Sequence, residues 1–120
     1  MVADLTEKPT VPFTEDIMHI KSFILESLSG DIIKKIILFG SHAYGMPNKN
    51  SDIDLCVIIE DKRNSRDAYL KIALALFNHK ITSTDLLVYR ENDFSTGIKK
   101  NEKGIESVIN SSGRVLYTHD

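Results

Sequence analysis

The chain has 120 residues, the size of one domain, and its 42% apolar content is enough for a packed core. Lys and Arg number 15 against 17 Asp and Glu, so a net charge of -2 gives no electrostatic reason for tight binding to a nucleic-acid backbone. A single cysteine cannot build a disulfide framework, and no apolar run approaches the roughly 20 residues of a membrane span.

Residues 1–13 are polar and contain Pro9 and Pro12, and read as a flexible N-terminal arm ahead of one domain over residues 14–120. The arm carries Asp4 and Glu7 and lacks the basic-then-apolar order of a signal peptide, so a cytoplasmic location is expected. Thr14 is a candidate helix cap, with Glu15 and Asp16 favourable in the first turn. Ile17, Ile20, Phe23, Ile24 and Leu28 then recur at helical spacing, and Ser29-Gly30 is the expected stop. Ile36 to Phe39 is a short, β-branched apolar run that suits a strand buried on both faces. Gly40-Ser41 ends it, and Met46 to Ser51 reads as a loop.

Ile53 to Ile59 is the second expected strand, and Cys56 within it is read as a small buried hydrophobe. Asn64 or Ser65 can cap the next helix, whose buried face is expected to hold Tyr69, Leu70, Ala73, Leu76 and Phe77. Asp85 to Tyr89 is a third strand. A helix is then expected over much of Phe94 to Asn110, with Gly104 counting against it. Ser111-Ser112-Gly113 reads as a turn before a short last strand, Val115 to Tyr117. Strands alternating with helices define an α/β (α+β) fold, a small mixed sheet with helices packed against it.

Three features align with chemistry. Asp52 and Asp54 are two residues apart at the start of a strand, so both carboxylates point to one face while Ile53, Leu55 and Val57 point to the other. Adjacent carboxylates repel unless a cation lies between them, and oxygen-only ligands suit magnesium. Asp85, at the start of a neighbouring strand, can supply a third ligand, so that two ions are held about 3.5–4 Å apart. It can also take a proton from an attacking hydroxyl. Gly40 lets backbone approach a ligand, and the N–H groups of a strand-to-helix turn, with the Ser41 hydroxyl, can cradle phosphate.

Gly40-Ser41, ten residues, then Asp52-Ile53-Asp54 resembles the signature of the DNA polymerase β-like nucleotidyltransferase superfamily. The run Leu38 to Gly45, followed by Ser51 to Leu55, is similar to its minimal members. Thr84 to Val88 is similar to the family's third-carboxylate strand, and Val108 to Tyr117 to the usual end of such domains. The resemblance spans about residues 15 to 117. It implies the polymerase β-like fold, phosphate binding by Gly40 and Ser41, and two magnesium ions on Asp52, Asp54 and Asp85, with ATP or another nucleoside triphosphate as substrate.

Many minimal members carry Arg directly after Gly-Ser and again two residues later, where this chain has His42 and Tyr44. His42 can donate to phosphate, and equally can be a surface residue of a short helix. Minimal members often neutralise a helical HEPN-domain toxin, some by attaching AMP to one of its tyrosines. The resemblance therefore implies an antitoxin-type enzyme with a HEPN partner, no membrane association, nucleic acid not favoured, and room for an oligomer. Two other readings remain: a module that neutralises a partner by contact alone, and a nucleotidyltransferase acting on a small molecule. Tyr44, Tyr69, Tyr89 and Tyr117 are assigned to packing. The run Lys99 to Lys103 is assigned to a solvated helix face. His19, His79 and His119 have no companions at metal-ligand spacing.

Overall fold

Thr14 stands at the N-cap of helix α1 (Glu15–Ser27), where its hydroxyl oxygen accepts the Ile17 N–H at 3.3 Å. The computed structural model describes residues 13–28, 31–44 and 52–119. The expected N-terminal arm, except for Phe13, lies outside the described residues, as do the helix stop at Ser29-Gly30 and the loop from Met46 to Ser51. After α1 come β1 (Ile33–Phe39), a short 3₁₀ turn (Ser41–Tyr44), β2 (Ile53–Ile59), α2 (Ser65–Asn78), β3 (Thr84–Arg90), α3 (Glu91–Lys100), α4 (Ile105–Ser112) and β4 (Arg114–Thr118). No helix among the described residues is long and apolar enough to cross a membrane.

The four strands form one mixed sheet in the order β3-β2-β1-β4. β1 runs antiparallel to both β2 and β4, whereas β2 and β3 are parallel and joined through α2. Side-chain alternation divides the core in two. Ile36, Leu38, Leu55, Val57 and Ile59 pack under α1 and α2 against Ile17, Ile20, Ile24, Ala68, Ile72 and Leu76. On the other face Ile37, Cys56 and Ile58 meet Phe94 of α3 and Ile109 of α4. The mixed α/β sheet expected from the sequence is present, with helices on both faces.

Several elements differ from expectation. β1 starts at Ile33 rather than Ile36, because its backbone ladder with β2 and β4 takes in Lys35, which is only half-buried. Asn64 rather than Ser65 caps α2, accepting the Asp67 N–H at 3.0 Å. The buried face of α2 is Ala68, Ile72 and Leu76; Tyr69, Leu70 and Phe77 are exposed at 42%, 54% and 68%. The single helix expected over Phe94 to Asn110 is two. Asn101 breaks it by accepting the Lys103 N–H on its side chain and the Gly104 N–H on its carbonyl, both at 3.0 Å. Ser111 and Ser112 are the last residues of α4, not part of a turn.

Candidate active site

β1 ends where β2 and β3 begin, so three chain segments converge at one end of the sheet. Phe39 pairs with Asp54 across the antiparallel ladder, and Asp54 with Asp85 across the parallel one. The three side chains share the α3–α4 face of the sheet, in line with Ile37, Cys56 and Leu87. Ile53, Leu55 and Val57 belong to the opposite core. Asp52 is exposed, immediately ahead of β2.

Gly40 is required at the corner for two reasons. Its φ of 73° lies in the left-handed region, which L side chains rarely adopt. A Cβ there would also run into Oδ2 of Asp54 and stand 3.1 Å from its Cγ. The Asp54 carboxylate therefore rests directly on the glycine backbone. Ser41 opens the 3₁₀ turn that follows, and the Ala43 N–H donates to the Gly40 carbonyl at 3.0 Å to close it. Ala43 is fully buried in the α1–α2 core, which anchors the turn.

The carboxylates act on one another. Partial burial holds the Asp54 carboxyl above the usual carboxylate range, and the negative charge of Asp85 and a hydrogen bond with it add to the effect. Asp52 contributes in the same direction more weakly, and His42 opposes it. His42 is thus close enough to Asp54 to offset part of its charge. Among the described residues, no group of three His, Cys, Asp or Glu side chains stands ready to hold a metal ion. The Asp54–Asp85 pair does have the chemistry of a hard-cation ligand set: oxygen donors only, and a mutual repulsion that a cation would remove.

Arg114 enters the site although it is not among the residues expected there from the sequence. It pairs with Leu38 at the start of β4, donates to the Ala43 carbonyl at 3.5 Å, and lies 4.2 Å over the Phe13 ring. Its guanidinium thus reaches the turn that carries Ser41 and His42, across 71 residues of chain. Arg114 lies in the Val108–Tyr117 stretch that resembles the usual end of such domains, but its place at the turn follows from the β1–β4 pairing.

Two cavities flank this end of the sheet. One of about 310 Å³ wraps β3, with Asp54, Asp85, Phe39 and Leu87 joined by Tyr69 of α2 and Ile105 of α4. The other, about 350 Å³, lies between α1 and the α2–β3 connection, where the Phe23 and His79 rings stack 3.6 Å apart. It is the larger, but none of Asp52, Asp54 and Asp85 lines it, so the carboxylate chemistry belongs to the β3 side. Cys56 takes no part: burial pushes its thiol up to about 12, with the Glu106 charge adding to the effect, as suits a packing residue.

Residues 22–120 match the family model described as polymerase beta, nucleotidyltransferase. Among solved structures, the chain is similar to a candidate nucleotidyltransferase from Sulfolobus solfataricus, at 17% identity over 86% of this chain and 78% of that one, with a TM-score of 0.56. It is similar also to a chain of a toxin–antitoxin structure with AMP-PNP, at 20% identity over 86% and 74% of the two chains and a TM-score of 0.56. A second candidate nucleotidyltransferase aligns at 15% identity over 87% of this chain and 100% of that one, with a TM-score of 0.53. At these identities the likeness is one of fold. No curated protein sequence matches the chain.

Proposed function

Because the chain belongs to the polymerase β nucleotidyltransferase family, we propose that it transfers AMP from ATP to a hydroxyl group on a partner protein. The observation that carries this reading is the pairing of Asp54 with Asp85, with the Asp54 carboxylate seated on Gly40. Two carboxylates held side by side repel each other, whereas carboxylates so placed can hold the metal ions that stabilise phosphoryl transfer.

In this reading the turn from Gly40 to His42 takes the phosphates, and Arg114 holds the turn through Ala43. Magnesium ions bound by Asp52, Asp54 and Asp85 would supply positive charge against the phosphoryl oxygens and lower the pKa of the attacking hydroxyl. Asp52, exposed ahead of β2, would be the third member of the ligand set. Asp85 takes the proton of the acceptor hydroxyl. The acceptor oxygen forms a bond to the α-phosphorus, the bond from that phosphorus to the bridging oxygen breaks, and pyrophosphate leaves with the electron pair.

A protein acceptor is supported by the structural neighbour drawn from a toxin–antitoxin assembly, and by the sequence resemblance to antitoxins that act on HEPN partners. The test is to incubate the chain and a co-purified HEPN-domain partner with magnesium and ATP labelled at either the α- or the γ-phosphate. The α-label is expected on the partner and the γ-label is not, and Asp54→Asn is expected to abolish labelling. Neutralisation of the partner by Asp54→Asn at wild-type strength, with no label transferred by either protein, would instead establish a contact-only module.

A further inference from the structure

The start of β1 lies at the end of the sheet opposite the aspartates. β1 is an internal strand with a helix-covered core on each face, yet Lys34 and Lys35 stand consecutively in it. A β-bulge accommodates them: Ile33 pairs with Ile59 and Lys35 with Ile58, so Lys34 is the extra residue. Ile33 and Ile36 both enter the α1–α2 core, and the two lysines between them line a cavity of about 310 Å³ on the α3–α4 face. We infer that this cavity binds the phosphate group of a small, soluble organic phosphomonoester. The site stands apart from the aspartates and is independent of the transferase reading.

Neighbouring lysine charges repel, and both residues are half-buried, a placement that lysine tolerates best with a partner. Neither belongs to the ion pairs found among the described residues, Arg63–Glu60 and Arg90–Asp93. A bulge that brings two such cations to one cavity favours an anion there, and their two charges match a phosphomonoester dianion better than a single carboxylate. The His119 backbone N–H donates to the Lys34 carbonyl at 2.9 Å, and His119 lines the same cavity. Ser95 of α3 and Asn110 of α4 add neutral hydrogen-bonding groups. Glu91, which is exposed, is the one acid in the lining, and it lowers the positive charge of the two lysines without cancelling it. The volume, within the range of small-ligand sites, leaves room beside a phosphate, and Ile58 and Ile98 offer an apolar wall to the organic part of the ester.

The test is calorimetric titration of the full chain, without magnesium or ATP, with phenyl phosphate, inorganic phosphate and benzoate. Phenyl phosphate is expected to bind tighter than inorganic phosphate, and about 10-fold tighter than benzoate. Lys34→Gln and Lys35→Gln are each expected to weaken it about 5-fold or more, and Lys35→Arg to keep it within about 2-fold. Glu91→Gln, at an exposed position, is expected to tighten it about 2-fold, and carries the test if the lysine variants do not fold. In amide NMR spectra phenyl phosphate is expected to shift Lys34, Lys35 and His119 rather than Gly40 to His42. No binding of phenyl phosphate, equal affinity for benzoate or inorganic phosphate, unchanged affinity in folded Lys→Gln variants or in Glu91→Gln, or shifts centred on Gly40 to His42 would each overturn the inference. Sedimentation of the chain with phosphatidic acid vesicles would overturn the soluble ligand in favour of a lipid headgroup.

Discussion

Asp54 lies half-buried between Phe39 and Asp85, and burial, the Asp85 charge and the weaker Asp52 charge all favour its neutral form. A carboxyl whose folded-state pKa exceeds its unfolded value stabilises the fold most below the unfolded pKa, here 3.8, and loses that contribution as pH rises through the folded pKa. Ionised Asp54 is therefore a liability at neutral pH in magnesium-free solution. Asp54→Asn keeps the shape and removes the charge. After allowance for solvent screening it is expected to gain about 0.5 kcal/mol, or roughly 2–4 °C in Tm, at pH 7 without magnesium. The gain should shrink as pH falls toward 3.8. Calorimetric scans of both proteins check this, and a lower Tm for the variant at pH 7 would contradict the account. At this scale the sequence was informative in part: strand alternation puts Asp54 on the face opposite Ile53, Leu55 and Val57, whereas Asp52 stands ahead of β2 and not on it. The seat of the Asp54 carboxylate on Gly40 was not legible, because it depends on the pairing of β1 with β2.

Helix α2 shows where periodicity stops being decisive. Ala68, Ile72 and Leu76 form one apolar stripe, and Leu70, Leu74 and Phe77, with Tyr69 beside them, form another. Both satisfy helical spacing, so the sequence says that α2 is amphipathic without saying which stripe meets the sheet. The connections to β2 and β3 settle it in favour of the first. Leu76→Ala is accordingly expected to cost about 2–5 kcal/mol, and Phe77→Ala, at 68% exposure, within about 0.5 kcal/mol of zero. Urea unfolding of the two variants separates the stripes, and a larger loss for Phe77→Ala would contradict the orientation of α2. The break between α3 and α4 has a similar origin. Gly104 was a warning against one long helix, but it is Asn101, hydrogen-bonded to Lys103, Gly104 and Ser107, that ends the first helix.

Over the whole molecule, the residues a motif can carry are Gly40 and Ser41 just after β1, Asp52 just before β2, and Asp54 and Asp85, the second residues of β2 and β3. The sheet brings Asp54 and Asp85 into register and lays Asp54 on Gly40. Arg114, Tyr69 and Ile105 reach the same end of the sheet only through β4, α2 and α4, and long-range pairing of that kind leaves no trace in local sequence. The central claim concerns the aspartates. Calorimetric titration of ATP with magnesium, on the wild type and on Asp52→Ala/Asp54→Ala, tests it most directly. Magnesium-dependent binding in the wild type that disappears in the double variant is the predicted result. No binding by the wild type, or binding that the double variant retains, would contradict it.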